Sequence, residues 1–178
     1  MKIYMIRHGK PDYSYGDEHN FIGHGHDLAK LDNNYIEDVI KTSKDERLKE
    51  ASLIVSSPYT RALQTAAIIS RETGLPIEVE PDLREWEPDL TYQYKAGEMK
   101  EYYKDYIENN GVIPKNREVK SESKEHLRNR IKSAIDKYKN YDCVIFVFHQ
   151  LAIKSVVDVD KVRPAEIILY QNKNEKIV

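Results

Sequence analysis

The sequence predicts an α/β fold, a three-layer α/β/α sandwich with a central, mostly parallel sheet. Three short apolar runs are rich in β-branched and aromatic residues: KIYMI at 2–6, SLIV at 52–55 and CVIFVF at 143–148. Such near-continuous apolar runs are typical of strands that are covered on both faces. Helical patterns lie between the runs, which indicates helices that cross over from one parallel strand to the next.

The first long helix is predicted over residues 59–72. Ser57 is the expected N-cap, and Pro58 is expected in the first turn. Gly74, with Pro76 beyond it, is a typical stop signal. The spacing therefore predicts a helix that follows directly after the second strand.

A second helix is predicted over residues 121–138, where five apolar residues recur at helical spacing: Leu127, Ile131, Ala134, Ile135 and Tyr138. The charges of Lys124, Arg128, Arg130 and Lys132 are expected on its solvated face. Residues 165–178 indicate a strand, a polar Asn-Lys-Asn turn and a second strand, which is the pattern of a hairpin.

The length of 178 residues fits a single domain over residues 1–178. A small insertion over the site is expected at about 88–114, where tyrosines recur at positions 92, 94, 102, 103 and 106. The alternative is a helix with a half-buried aromatic stripe, since such stripes often belong to a core.

Composition and charge exclude several classes of function. With 28 basic and 30 acidic residues the net charge is −2, so neither nucleic acid nor an anionic membrane is an expected partner. The start of the chain lacks the apolar stretch of a signal peptide, and no run approaches a membrane span, so we expect a cytoplasmic protein. Cys143 heads an apolar run that ends in His149 rather than in an arginine, which excludes a cysteine-dependent phosphatase.

Polar residues follow each of the three predicted strands. Arg7 and His8 end the first, Ser56-Ser57-Pro58 follow the second, and His149 and Gln150 follow the third. Since ligands bind at the carboxyl edge of open α/β sheets, these residues are expected to converge on one pocket. Arg61 joins them from the first turn of its helix, and two arginines with two histidines beside a helix N-terminus suit a phosphoryl group.

These residues suggest roles in phosphoryl transfer. A neutral His8 can attack phosphorus in line, provided that its other ring nitrogen donates to a nearby carbonyl. Two guanidinium groups can neutralise the charge of the transition state. Departure of an alkyl alcohol requires a proton, for which Glu85 is the candidate donor, with Glu87 and Asp89 as competitors.

The chain resembles the histidine phosphatase (phosphoglycerate-mutase-like) superfamily. The resemblance rests on IRHG at 6–9, SSPYTRALQTA at 56–66, LRE at 83–85 and VFHQ at 147–150, which occur in the order of that family, and LAKLDNNYIEDV at 28–39 is also similar. It implies that His8 is the phosphorylated nucleophile and that Glu85 is the proton donor. It further implies that Arg7, Arg61 and His149 bind the phosphate.

Three positions depart from the family pattern. The family often has a hydroxyl residue three places after the nucleophile and an asparagine six places after it, where this chain has Pro11 and Ser14. Gln150 stands where glycine usually follows the second histidine. A backbone N–H survives that change, and the side chain of Gln150 is a candidate substrate contact.

No cofactor or metal is predicted. His19, His24 and His26 have a spacing that could hold zinc, but the glycines between them favour a loop at the mouth of the substrate site. Lys10 follows a glycine but lacks the other residues of a P-loop, so nucleotide-triphosphatase chemistry has no support.

The sequence thus predicts metal-independent hydrolysis of a small phosphorylated metabolite or phosphoprotein through a phosphohistidine intermediate. One alternative is phosphoglycerate-mutase-type transfer, although family members with that activity are generally longer. The other is a non-catalytic phosphate-binding module, motivated by Pro11, Ser14 and Gln150.

Overall fold

The computed structural model describes residues 1–95, 97–113 and 121–170. Its strands are β1 (Lys2–Arg7), β2 (Leu53–Ser56), β3 (Ile77–Val79), β4 (Cys143–Phe148) and β5 (Ile167–Tyr170). Its α-helices are α1 (Ser14–Glu18), α2 (His24–Asp27), α3 (Ile36–Ser43), α4 (Thr60–Thr73), α5 (Glu98–Glu108), α6 (Lys124–Asp136) and α7 (Gln150–Val156).

The strands form one sheet in the order β3-β2-β4-β1-β5. The first four strands in that order are parallel to their neighbours, and β5 pairs antiparallel with β1 at the edge. The carboxyl ends of β1, β2 and β4 therefore lie side by side. This arrangement confirms the mostly parallel α/β sheet and brings the three polar strand ends to one edge.

Helices cover both faces of the sheet. Alternate residues of β1 and β4 point to opposite sides, so Met5 and Phe146 pack with α6 and α7, while Ile6 and Ile145 pack with α4. All six residues of β4 are buried. Burial on both faces explains the unbroken apolar runs in the sequence.

The start of α4 differs from the prediction. Tyr59, not Ser57, is the N-cap, and Pro58 precedes the helix instead of lying in its first turn. The Ser57 hydroxyl lies 2.8 Å from Nε2 of His149 and accepts a hydrogen bond from the Tyr59 backbone N–H, so a tertiary contact replaces the expected cap. The end is as predicted, since Gly74 adopts a left-handed φ of 74°.

The second predicted helix is shorter than expected, and one of its charges is buried. α6 begins after Ser123, whose hydroxyl accepts from the His126 N–H. Arg130 is only 8% exposed, so its assignment to the solvated face was wrong. A buried carboxylate partner, described below, holds it there.

The C-terminal hairpin is described only in part. β5 is its first strand, and the predicted turn and second strand at 171–178 lie outside the described residues. In the described part of the chain, no helix is both long and apolar enough to cross a membrane.

Candidate active site

The strand ends meet at a cavity of about 300 Å³. Arg7 and His8 reach it from the end of β1, and Arg61 reaches it from the first turn of α4. Glu85 lines it from the segment that follows a 3₁₀ turn after β3. His149 follows β4 and lies behind His8, with the two ring centroids 5.0 Å apart. The structure thus brings the five residues together.

The ring of His8 is held in one tautomer. Its Nδ1 lies 2.6 Å from the Gly9 carbonyl oxygen, which can only accept, so Nδ1 carries the hydrogen. Nε2 accepts a hydrogen bond from Nε of Arg61 at 3.2 Å. Burial, reinforced by the positive charge of Arg61, lowers the pKa of His8 well below its ordinary value of 6.5. At neutral pH, His8 is therefore a neutral imidazole with its Nε2 lone pair beside Arg61.

Gly9 leaves no room for a side chain. A Cβ there would lie 2.6 Å from Cγ2 of Val39 and 3.1 Å from Cδ2 of Leu31. The Gly9 N–H donates to the Thr65 hydroxyl at 3.0 Å. This contact ties the residue after His8 to α4, the helix that carries Arg61, and so fixes His8 and Arg61 relative to each other.

Arg7 is anchored from behind the cavity. Its Nη1 donates to the side-chain oxygen of Gln150 and to the Val162 carbonyl oxygen, the latter at 2.7 Å. The side chain of Gln150 therefore helps to hold Arg7, which is a candidate phosphate-binding residue. The buried Nε of Arg7 has no hydrogen-bond partner among the described residues.

His149 is fully buried. Its Nε2 shares a hydrogen bond with the Ser57 hydroxyl, and its Nδ1 has no partner within the described part of the chain. Burial, together with the nearby charge of Arg61, lowers the pKa of His149 well below 6.5. Like His8, it is neutral at neutral pH.

The environment of Glu85 favours the protonated form of its carboxyl group more than water does. Burial raises its pKa above the ordinary 4.5, although its carboxyl oxygens accept from the backbone N–H groups of Trp86, Leu151 and Ala152. Leu151 and Ala152 belong to the first turn of α7, which starts directly after His149. The acid candidate and the second histidine are thus fixed to the same helix.

The two competing carboxylates are engaged elsewhere. Glu87 accepts from Nε of Arg84 at 2.7 Å and from the Tyr92 hydroxyl at 3.1 Å. Burial favours a higher pKa for Asp89, but hydrogen bonds from Thr91 and Gln93 hold that pKa below its usual range. Glu85 is therefore the better placed of the three to donate a proton.

A buried ion pair supports the Glu85 segment. Arg130 of α6 makes a two-pronged contact with Glu122, with N···O distances of 2.8 and 2.7 Å. The same guanidinium donates to the backbone carbonyl oxygens of Asp82, Arg84 and Glu85. No pattern in the sequence indicates this role of Arg130, because a charged residue on an amphipathic helix is usually solvated.

The departures from the family pattern lie beside the cavity. Pro11 forms a β-bridge with Leu31, and the Ser14 hydroxyl donates to Asp12. Tyr13, directly before Ser14, lines the cavity and stacks on the ring of His26, with the ring centroids 4.3 Å apart. No motif in the sequence marked Tyr13.

His26 borders the cavity as expected, but His24–Asp27 form the short helix α2 instead of the predicted loop. Nδ1 of His19 lies 2.8 Å from the Tyr15 carbonyl oxygen, and the side chain of His24 is outside the described residues. Burial lowers the pKa of His26. Among the described residues, no group of three or more His, Cys, Asp or Glu could hold a metal ion.

Aromatic side chains form much of the cavity wall. The Arg61 guanidinium lies over the rings of Tyr59 and Tyr13, at 4.9 and 5.8 Å from their centroids. Farther along the wall are four more rings, which come from the segment after Glu85 and from α5: Trp86, Tyr92, Tyr94 and Tyr103. Helix α5 places Tyr103 at the cavity and Tyr106 in the core.

The comparison with protein families agrees with this geometry. The family model of the histidine phosphatase superfamily (branch 1) matches residues 3–172. The chain belongs to the histidine phosphatase superfamily. The resemblance carried by the four sequence motifs is therefore confirmed. No curated protein matches the chain significantly.

Solved structures share the fold of this superfamily member at low sequence identity. The mycobacterial glucosyl-3-phosphoglycerate phosphatase is 18% identical, with a TM-score of 0.69 over 94% of this chain and 88% of that chain. YhfR of Bacillus stearothermophilus is 18% identical, with a TM-score of 0.72 over 97% and 92%. A candidate α-ribazole-5′-P phosphatase from Escherichia coli K-12 is 19% identical, with a TM-score of 0.67 over 98% and 92%.

Proposed function

We propose that this protein hydrolyses phosphomonoesters through a phosphohistidine formed at His8. The observation that carries the proposal is the neutral Nε2 of His8, held beside Arg61 at a cavity that Arg7 and Glu85 also line. A nucleophile, two fixed positive charges and a carboxylic acid at one cavity are the parts that phosphoryl transfer to imidazole requires.

In the first step, Nε2 of His8 attacks phosphorus, and the bond from phosphorus to the ester oxygen breaks. The leaving alcohol takes the proton of Glu85, whose raised pKa favours the protonated form before the reaction. The Nδ1 hydrogen bond to Gly9 stabilises the positive charge that the ring acquires. The products are an alcohol, a carboxylate and a phosphohistidine.

In the second step, water attacks the phosphohistidine, and the Glu85 carboxylate takes a proton from that water. The bond between Nε2 and phosphorus breaks, which releases inorganic phosphate and the neutral imidazole. Glu85 has its proton back, so the cycle closes without another reagent.

Arg7 and Arg61 neutralise the phosphoryl oxygens in this scheme. The buried Nε of Arg7 and the buried Nδ1 of His149 are hydrogen-bonding groups that a phosphoryl oxygen could engage. Structures of the mycobacterial phosphatase neighbour have been determined with VO3 and with inorganic phosphate. Because side chains supply the charge, we propose that the reaction needs no metal.

Trapping of the phosphoenzyme tests the proposal. Brief reaction with a labelled phosphomonoester in excess chelator should leave a label on the protein that is acid-labile and base-stable, as expected for a P–N bond. His8→Ala should abolish both the label and phosphate release. His126→Asn, which changes an exposed histidine of α6, should retain both.

Label that survives in His8→Ala would place the nucleophile elsewhere. Activity that the chelator removes and a divalent ion restores would contradict the metal-independent scheme. Label formation with transfer to a second alcohol, and without release of phosphate, would favour the mutase alternative.

A further inference from the structure

We propose that the alcohol released by this phosphatase carries an aromatic ring, which stacks against the wall formed by Tyr92, Tyr103 and Trp86. This inference rests on the proposed function, because it concerns the group on the far side of the scissile bond. Aromatic pairs contribute affinity beyond the area that they bury.

A strained turn holds Tyr92 at the mouth of the cavity. Its φ of 55° is in the left-handed region, which a bulky residue rarely adopts. The buried Asp89 carboxylate fixes this turn by accepting from the backbone N–H groups of Thr91 and Gln93. The Tyr92 ring nevertheless remains 54% exposed. Strain that places an exposed aromatic ring at a cavity favours a role in binding.

The other side chains of the wall are also fixed. Trp86 donates from Nε1 to the Glu122 carbonyl oxygen at 2.6 Å and packs against Tyr106, so its plane is set by the core. Tyr103 lies one α5 turn before Tyr106 and approaches Trp86 edge to face, with centroids 6.4 Å apart. At 41% exposure, Tyr103 retains area for a ligand.

A second contact ties the aromatic segment to the opposite loop. The Tyr94 hydroxyl accepts a hydrogen bond from the Gly23 N–H at 2.7 Å. Gly23 has a φ of 52°, and a Cβ there would lie 3.9 Å from Cδ1 of Tyr92. This hydrogen bond links the two segments that border the mouth of the cavity. The width of the mouth is therefore set before a substrate binds.

The carboxylates at the wall are already engaged by neighbouring groups, including Asp27 by the Tyr59 hydroxyl, and this favours an aromatic alcohol over a cationic one. Glu87 and Asp89 are already engaged by Arg84, Tyr92 and Thr91, as described above. Lys100 also lines the cavity and would repel a quaternary ammonium group. The volume of about 300 Å³ is at the lower end for small-ligand sites, so it suits a phosphoryl group with one ring system.

Three alkyl phosphates with similar leaving groups test this inference: ethyl phosphate, 2-cyclohexylethyl phosphate and 2-phenylethyl phosphate. We expect kcat/KM to be highest for the phenyl compound, and roughly three- to tenfold above that for the cyclohexyl compound. The difference should lie mainly in KM, because the ring is remote from the scissile bond. Phosphate release measures all three rates.

Two variants remove rings without disturbing the backbone. Tyr92→Asn keeps a residue that tolerates positive φ, and Tyr103→Leu keeps an apolar residue on a helix. Each should bring the phenyl-to-cyclohexyl ratio close to one. Tyr141→Leu, an exposed tyrosine outside the cavity lining, should keep the wild-type ratio.

Equal kcat/KM for the phenyl and cyclohexyl compounds, with His8-dependent hydrolysis of both, would overturn the aromatic inference and leave the phosphatase proposal standing. Preferred hydrolysis of phosphocholine would overturn it in favour of a cationic alcohol. Absence of phosphate release and of label with every substrate would instead refute the proposed function itself.

Discussion

Burial shifts the pKa values of two residues at the site, His8 and Glu85, in opposite directions. Burial lowers the pKa of His8 and raises that of Glu85, so the same environment favours the neutral form of each group. One physical cause thus prepares both partners of the first chemical step. Opposite shifts in two neighbouring groups are typical of an acid–base assignment.

Glu85→Gln should therefore affect substrates according to their leaving groups. We expect phosphoenzyme formation from an alkyl phosphate to slow by about 10² to 10⁴, the usual contribution of general acid catalysis. An aryl phosphate such as p-nitrophenyl phosphate should lose far less, since its leaving group departs without a proton. Single-turnover rates of label formation measure this step apart from the later attack of water.

The pH profile of the same step provides a control. For an alkyl phosphate, the wild-type rate should fall on the alkaline side as Glu85 loses its proton, at a pH above 4.5. It should fall on the acid side as His8 gains one, at a pH well below 6.5. Only the alkaline fall should disappear in Glu85→Gln. Equal loss on both substrates would mean that Glu85 only positions other groups.

Sequence motifs allow the prediction of individual site residues but not of most contacts between them. The tautomer of His8 could be anticipated, because a strand-end imidazole needs a nearby carbonyl acceptor. The contact between Gln150 and Arg7 could not, since it joins side chains 143 positions apart. Tyr13 was missed because a tyrosine in a loop has no pattern that distinguishes it from a surface residue.

Helix α6 supports the segment that carries Glu85 through one side chain, Arg130. Its Arg130 is bound to the buried Glu122 carboxylate and to three backbone carbonyl oxygens of the segment that carries Glu85. The helix therefore fixes the position of that segment without touching the cavity. Its amphipathic pattern predicted the helix, but its buried arginine depends on a carboxylate that precedes the helix.

Replacement of Arg130 by Met should separate positioning from chemistry. Removal of one partner from a buried pair should lower the free energy of unfolding by about 3–5 kcal/mol, because Glu122 is left uncompensated. If Arg130 positions Glu85, the folded variant should also lose more rate on an alkyl phosphate than on an aryl phosphate. Denaturant unfolding and single-turnover rates measure the two effects.

Arg130→Met, Glu122→Met provides the matched comparison, since it removes both charges and should recover part of the stability. Recovery of stability without recovery of alkyl phosphate turnover would support a positioning role for the arginine. An equal loss of rate on both substrates would indicate a general disturbance of the fold instead.

In the whole molecule, two buried histidines make stability depend on pH. Their folded pKa values lie well below 6.5, so the unfolded chain binds protons that the folded protein rejects. Stability from this source is complete above pH 6.5 and is lost as the pH falls toward the folded values. Glu85, whose pKa is raised, has the opposite dependence above pH 4.5.

His149→Gln should flatten the dependence of unfolding free energy on pH below 6.5. The slope should decrease by up to about 1.4 kcal/mol per pH unit, the effect of one proton. Urea unfolding from pH 4.5 to 7.5 measures it, and Glu85 is present in both proteins, so its contribution largely cancels. Parallel curves for the variant and the wild type would show that His149 is protonated in the fold.

The layered architecture could be predicted because β1, β2 and β4 are apolar in all but their terminal residues. The order of the strands could not, since the apolar runs do not specify which neighbour each strand pairs with. The placement of α5 was open for a similar reason. Its tyrosines face both the core and the cavity, and the sequence pattern does not separate these two environments.

At the site, the two histidines follow buried strands, whereas several of the aromatic rings lie on a connecting segment. This separation has an evolutionary consequence. His8 and His149 directly follow buried strands, where a substitution disturbs the core, whereas Tyr92 and Tyr94 lie on a connecting segment outside the sheet. Loops tolerate exchange better than the elements that they join. New substrate preferences could therefore be selected by changes in the segment at 88–95 while the transfer chemistry is inherited unchanged. A library randomised at Tyr92, which lies in that segment, would be a direct starting point for redesign of the specificity.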